Sequence, residues 1–228
     1  MPYPIAHPAA VIPLARPLGR IGVPSALAIG SVVPDLWYFV PGLDRSDSHS
    51  AAGLVWFCLP AGLLAYALFH TVLKQPLIAL ISPRLAYYAC AGLPQRPWTA
   101  VVISLLVGAL THLVWDALTH SQHVTNLWQH ASTIGGAAIL TLWLWCKLRI
   151  VPPAPAQLSA LARGCICLVL LGAMAIAGLW SADISLTAEL IFDTRVLRRL
   201  LRTAGIGALA GLGAALLVYC LVFRRKIS

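Results

Sequence analysis

Acidic residues are scarce in this sequence. Only seven of its 228 residues are Asp or Glu, against sixteen Lys and Arg, and charged residues make up 10% of the whole. A soluble domain carries about 25%, so composition alone excludes a water-exposed globular surface. No CxxC pair occurs among Cys58, Cys90, Cys146, Cys165, Cys167 and Cys220. They lie mostly inside apolar runs and are expected to be small packing residues. The start, MPYPIAHPAAVIPLAR, lacks the basic region and clean apolar core of a cleaved signal peptide; it is expected to be mature sequence. There is no short-period repeat and no low-complexity tract.

What the chain does have is hydrophobicity: 60% of residues are apolar and the mean hydropathy is +0.84. This predicts an all-α, polytopic membrane helix bundle, with the lipid bilayer as its first partner. About 20 apolar residues cross the hydrocarbon core. Runs of that length lie near 51–73, 99–120, 131–150, 162–181 and 204–223. The first forty residues are less regular. Ile5–Ala15 is too short to span, and Pro34-Asp35 interrupts Val23–Val40. Short helices that dip into the bilayer or pack on the bundle are expected there, because irregular backbone at membrane depth needs protein or a wet cavity around it. SLTAELIFDTRVLRRLLRT, within 182–203, holds four arginines and reads as an amphipathic helix in the interface.

The net charge of +9 does not indicate a nucleic-acid partner, because the basic residues punctuate apolar segments. Lys74, Arg84 and Arg96 fall in one connection, Lys147, Arg149 and Arg163 in another, and Arg224, Arg225 and Lys226 in the tail. The positive-inside rule puts these on the cytoplasmic side. The 121–130 connection has no Lys or Arg and is expected on the extracytoplasmic side. The PPAPA linker at 152–156 divides a His- and Asp-bearing membrane bundle (1–150) from a two-helix membrane segment (151–228). All seven histidines lie in the first part.

Within THLVWDALTH, His112, Asp116 and His120 recur at steps of four. At about 100° per residue they stay within about 80° of one another on a helix. Burying such groups is costly: an Asp at the bilayer centre costs about 2.5–3.5 kcal/mol on insertion scales. Asp35 at the end of GSVVPD, His49 after DRSDSHS, and His130 in LWQHAS fall at the same membrane face in this topology, and His7 joins them if the N-terminal segment folds back. Imidazoles around a carboxylate suit a divalent metal, zinc above others, and an open metal position activates water. A proton relay or a helix-packing hydrogen-bond network is the alternative for the triplet. His70, beside Lys74, reads as an interface residue, and His123 as part of a polar turn. A non-enzymatic metal-binding protein or transporter, or a bis-His haem protein, are the other readings. Haem needs two imidazoles and no carboxylate, so the aspartates weigh against it.

HPAAVIPL, ALAIGSVVPDLWYF, the HS turn, LLVGALTHLVWDALTH and LWQHAS together resemble a bacterial family of uncharacterised polytopic membrane proteins, over about residues 1–145. That family is similar to membrane-bound metal-dependent hydrolases and, more distantly, to zinc-dependent phospholipase C. The resemblance implies a phosphoester hydrolase of the inner membrane whose substrate is a phospholipid head group or a lipid-linked phosphate. It implies His7, His49 and His112 as metal ligands and Asp116 as a bridging ligand. Asp35 would stand beside the metal as general base or water-orienting residue, and His120 and His130 would complete a second position. Where the soluble enzymes carry a Glu four residues after the last of these histidines, this chain has Ile134. A smaller site of one or two ions is expected.

Overall fold

The computed structural model describes residues 6–88, 96–119, 126–152, 157–182 and 194–225. Among these residues there are helices and turns but no strand. Short helices come first: α1 (Pro8–Val11), α2 (Pro24–Gly30), a 3-10 segment over Val33–Phe39, and α3 (Arg45–Ser48). Five long helices follow: α4 (Ala51–Ile81), α5 (Trp98–Thr119), α6 (Asn126–Arg149), α7 (Ala160–Ser181) and α8 (Thr194–Arg225). All five are long and apolar enough to cross a membrane. The chain is therefore an all-α, multi-pass membrane protein.

Helix α4 runs eight residues beyond the expected end at 73, through Lys74 and Pro76. Two wide π turns, Leu54–Cys58 and Phe69–Leu73, explain how. Each comes just before a proline, Pro60 and Pro76. A regular α-turn would press the carbonyl four residues back against the proline ring; a π turn opens the helix at that point. Residues 194–203, expected in a separate interfacial helix, instead form the first turns of α8. No proline interrupts them, and single glycines such as Gly205 weaken a helix without ending it.

The structure divides into two compact units, Met1–Thr71 with Cys90–Pro152, and Val72–Ala89 with Pro153–Ser228. Over 72–89 this grouping differs from a linear division at residue 150.

The first unit packs the short N-terminal helices on α5. One cluster joins Val23, Ala26, Tyr66, Ala100, Val101 and Leu105. A second joins Val33, Phe57, Cys58 and Ala109. Two glycines set the distance between α2 and α5. A Cβ on Gly30 would lie 2.2 Å from the Leu105 carbonyl oxygen, and one on Gly108 would lie 2.3 Å from that of Leu27. Only glycine allows so close a backbone approach. The Ser104 hydroxyl fixes the chain entering α2: it accepts from the Val23 N–H and donates to the Ile21 carbonyl, both at 2.9 Å. At α6, Gly136 makes room for Ala6, whose Cβ would be 2.9 Å from an added Cβ. That contact seats the residue just before His7.

In the second unit α7 and α8 pack through small residues, as membrane helices do when backbones must approach closely. Added Cβ atoms would come within 2.0 Å of Ser181 Oγ at Gly207 and 2.4 Å of Ala177 Cβ at Gly211. The Tyr219 hydroxyl donates to the Pro76 carbonyl at 3.0 Å.

Candidate metal centre

Four segments of the first unit deliver side chains to the C-terminal end of α5. Helix α5 itself carries His112 and Asp116 on one face, one turn apart. The segment before α1 brings His7. The 3-10 segment brings Asp35, with Pro34 starting that turn. Helix α3 ends at His49. Its four residues hold their shape through a reciprocal capping box: Asp44 accepts from the Ser46 and Asp47 N–H groups, and Asp47 accepts from the Asp44 N–H. His7 and His112 are fully buried, and Asp35 and Asp116 nearly so.

The close α2–α5 crossing has a chemical consequence. It places the Ser31 carbonyl 2.8 Å from His112 Nδ1. A carbonyl only accepts, so Nδ1 carries the proton and the Nε2 lone pair faces the cluster. Backbone carbonyls commonly orient metal-binding histidines in this way. His49 Nδ1 is similarly occupied by the Ser48 hydroxyl at 2.8 Å, which turns its Nε2 inward.

The inward atoms converge. His49 Nε2 lies 3.3 Å from His112 Nε2 and 3.4 Å from Asp116 Oδ2, and His112 Nε2 lies 3.8 Å from that oxygen. A tetrahedral ion with bonds of about 2.0–2.1 Å sets its ligand atoms about 3.3–3.4 Å apart. Two of the three edges match this and the third is slightly long. A second triplet, His7, Asp35 and His112, has ligand atoms within 4.8 Å of one another. Asp35 Oδ1 is 3.7 Å from both His49 and His112 Nε2. His7 stacks on His112 with ring centroids 3.8 Å apart, and its Nε2 lies 3.7 Å from Asp116 Oδ1. The triplets share His112, which has one inward nitrogen, so they surround one centre. The donors are imidazole nitrogens and carboxylate oxygens, a set that suits zinc.

Burial, with Asp116 beside it, pushes the Asp35 carboxyl up to about 6. Two buried carboxylates this close to the same nitrogens favour a cation between them. One cation is already present: Arg45 Nη2 donates to Asp116 Oδ2 at 2.5 Å. Sequence reasoning missed this residue. Its signal is the spacing to His49, four residues on, which puts both on one side of a helical turn.

His7, Asp35, His49, His112 and Asp116 are thus brought together. His130 lies exposed on α6, as does Ile134 four residues later, and His130 belongs to neither triplet. His120 and His123 lie outside the described residues. His70 is buried well apart in sequence and bonds through Nε2 to the Ser25 hydroxyl at 2.9 Å.

A family model described as a domain of unknown function (DUF4184) matches residues 1–125, more than half of the chain. Every member of the converging cluster falls within that match. No curated protein and no solved structure matches the chain.

Proposed function

The chain belongs to the DUF4184 family, and on that premise we propose that it is an integral-membrane, metal-dependent phosphoester hydrolase. Its site would lie at the extracytoplasmic face of a bacterial inner membrane and act on a lipid head group or lipid-linked phosphate. The observation that carries this reading is the convergence of His49, His112 and Asp116 at edges of 3.3 to 3.8 Å, backed by His7 and Asp35. These residues fit a zinc-type ion in donor type and in spacing. When bound, such an ion supplies Lewis acidity and lowers the pKa of a coordinated water.

The chain's own groups would do the rest. The Ser31 carbonyl holds His112 in its ligating tautomer. Asp35, nearly buried and 3.7 Å from two imidazole nitrogens, would orient or deprotonate an attacking water. His7 walls the site by stacking on His112. The position of the cluster at one end of α5 suits a substrate whose phosphate sits at the membrane surface while its chains stay in lipid.

Elemental analysis of protein purified without chelator tests the metal, and a screen of phospholipids and nitrophenyl phosphodiesters tests the reaction. One zinc-type ion per chain and metal-dependent release of a phosphoester product are expected. A protein that binds no metal when zinc is supplied would overturn the metal site, and one that binds it and hydrolyses none of these substrates would point to the non-enzymatic metal-binding alternative.

A further inference from the structure

Arg45 deepens the proposal of a phosphoester site and rests on it for the role of the metal, though not for the binding it predicts. Its side chain is 39% exposed, whereas those of His7, Asp35, His49, His112 and Asp116 are all 10% or less. It therefore stands at the mouth of the cluster, with one end in the interior. One Nη2 donor is used on Asp116. Its Nε is buried and has no hydrogen-bond partner. A guanidinium has five N–H donors in a rigid fork, and that fork matches the oxygens of a phosphate in pairs. The exposed part of the side chain, rather than the buried Nε, is what an anion at the mouth would meet.

Charge balance points the same way. Asp35 and Asp116 contribute −2 when ionised and Arg45 contributes +1, so the site with neutral imidazoles sums to −1. A divalent cation takes it to +1, and an anionic group then balances the site. The same cation draws on Asp116 Oδ2, the atom that Arg45 now holds, which frees part of the guanidinium fork.

We infer that Arg45 is the phosphate-recognising residue of this site, dividing its guanidinium between Asp116 and an anionic phosphoryl group at the mouth. The recognised chemistry is a phosphate oxyanion, carried by either a lipid head group or a free phosphate. Arg45 sets specificity, and it does so by binding.

The test titrates the purified full chain in detergent, with one equivalent of zinc, against inorganic phosphate and separately against micelles of short-chain phosphatidic acid. Binding is followed by calorimetry, and metal content is measured on the same samples. Arg45→Gln should weaken binding about tenfold or more, the loss typical of a charged hydrogen bond. Arg45→Lys, which keeps charge but not the fork, should fall between. Metal content should not drop in either variant, since Arg45 and the ion compete for Asp116. Weakening with inorganic phosphate assigns a free phosphate. Weakening confined to phosphatidic acid assigns a lipid head group. Unchanged affinity for both probes in the Gln variant, with its helicity intact, overturns the inference. If the Gln variant does not fold, wild-type affinity in Arg45→Lys overturns it instead. Absence of metal from the wild type would sink the hydrolase reading alone; phosphate affinity that still depends on Arg45 there would leave this one standing.

Discussion

Gly108→Ala adds one methyl group to α5, yet it should disturb the candidate metal centre a full turn away. The new Cβ would sit 2.3 Å from the Leu27 carbonyl oxygen and 2.9 Å from the Ser31 nitrogen. Carbon contacts become comfortable near about 3.5 Å, so α2 must withdraw by roughly 1 Å. Both obstacles are backbone, with no flexible side-chain end to yield. The Ser31 carbonyl, now 2.8 Å from His112 Nδ1, would retreat beyond the about 3.2 Å limit of a good N–H···O bond. Overpacking costs about 1–3 kcal/mol, and the lost bond adds about 0.5–1.5 kcal/mol. A total of about 1.5–4.5 kcal/mol is expected, together with weaker metal binding because His112 is no longer held in one tautomer. Thermal unfolding in detergent reads the first effect and zinc titration the second. Gly135→Ala is the control: nothing lies within 4 Å of its added Cβ, and exchanging a helical Gly for Ala should gain up to about 1 kcal/mol. Wild-type stability and wild-type zinc affinity in Gly108→Ala would refute the argument that this crossing positions His112.

Four further predictions concern the site, its surroundings and the topology. Asp116→Asn keeps the side-chain shape but removes charge, so zinc should be lost from the purified protein. His70→Ala, which removes the buried bond to Ser25 and the ring contact with Tyr66, should lower stability and leave zinc content at the wild-type level. His49→Ala should abolish metal binding, whereas His130→Ala and Ile134→Glu, on the exposed side of α6, should not change it; a zinc content that follows His130 would show that the centre recruits α6. A reporter fused near residue 126 should be active only when placed outside the cytoplasm, because the 121–130 connection lacks Lys and Arg; cytoplasmic activity would move the site to the inner face.

Much of the fold is legible in the sequence because the bilayer simplifies the problem. A run of about 20 apolar residues has few options other than a spanning helix, and α5, α6, α7 and the end of α8 lie close to their expected bounds. The errors occur where backbone detail outweighs hydropathy. Lys74 and Pro76 look like the end of a span, yet a π turn carries α4 past them. Four arginines suggest a separate interfacial helix, yet residues 194–203 continue into the span that follows. Hydropathy reports where a segment is comfortable; it does not report whether the helix stops.

The candidate site was legible in its donors but not in its supports. His112 and Asp116 announce themselves by spacing and by the cost of burying them. His7, Asp35 and His49 are rare polar residues in an apolar half of the chain. The residues that turn five donors into a centre carry no such mark. Gly30 and Gly108 matter for what they lack, a Cβ at a crossing that no local pattern encodes. Ser31 acts through its carbonyl, which every residue has. Arg45 looks like one more basic residue in a polar turn until Asp44 and Asp47 are seen to cap that turn and bring its guanidinium to Asp116. Imidazole and carboxylate spacing locates such a site, while the anion it would take is read from the cation at its mouth.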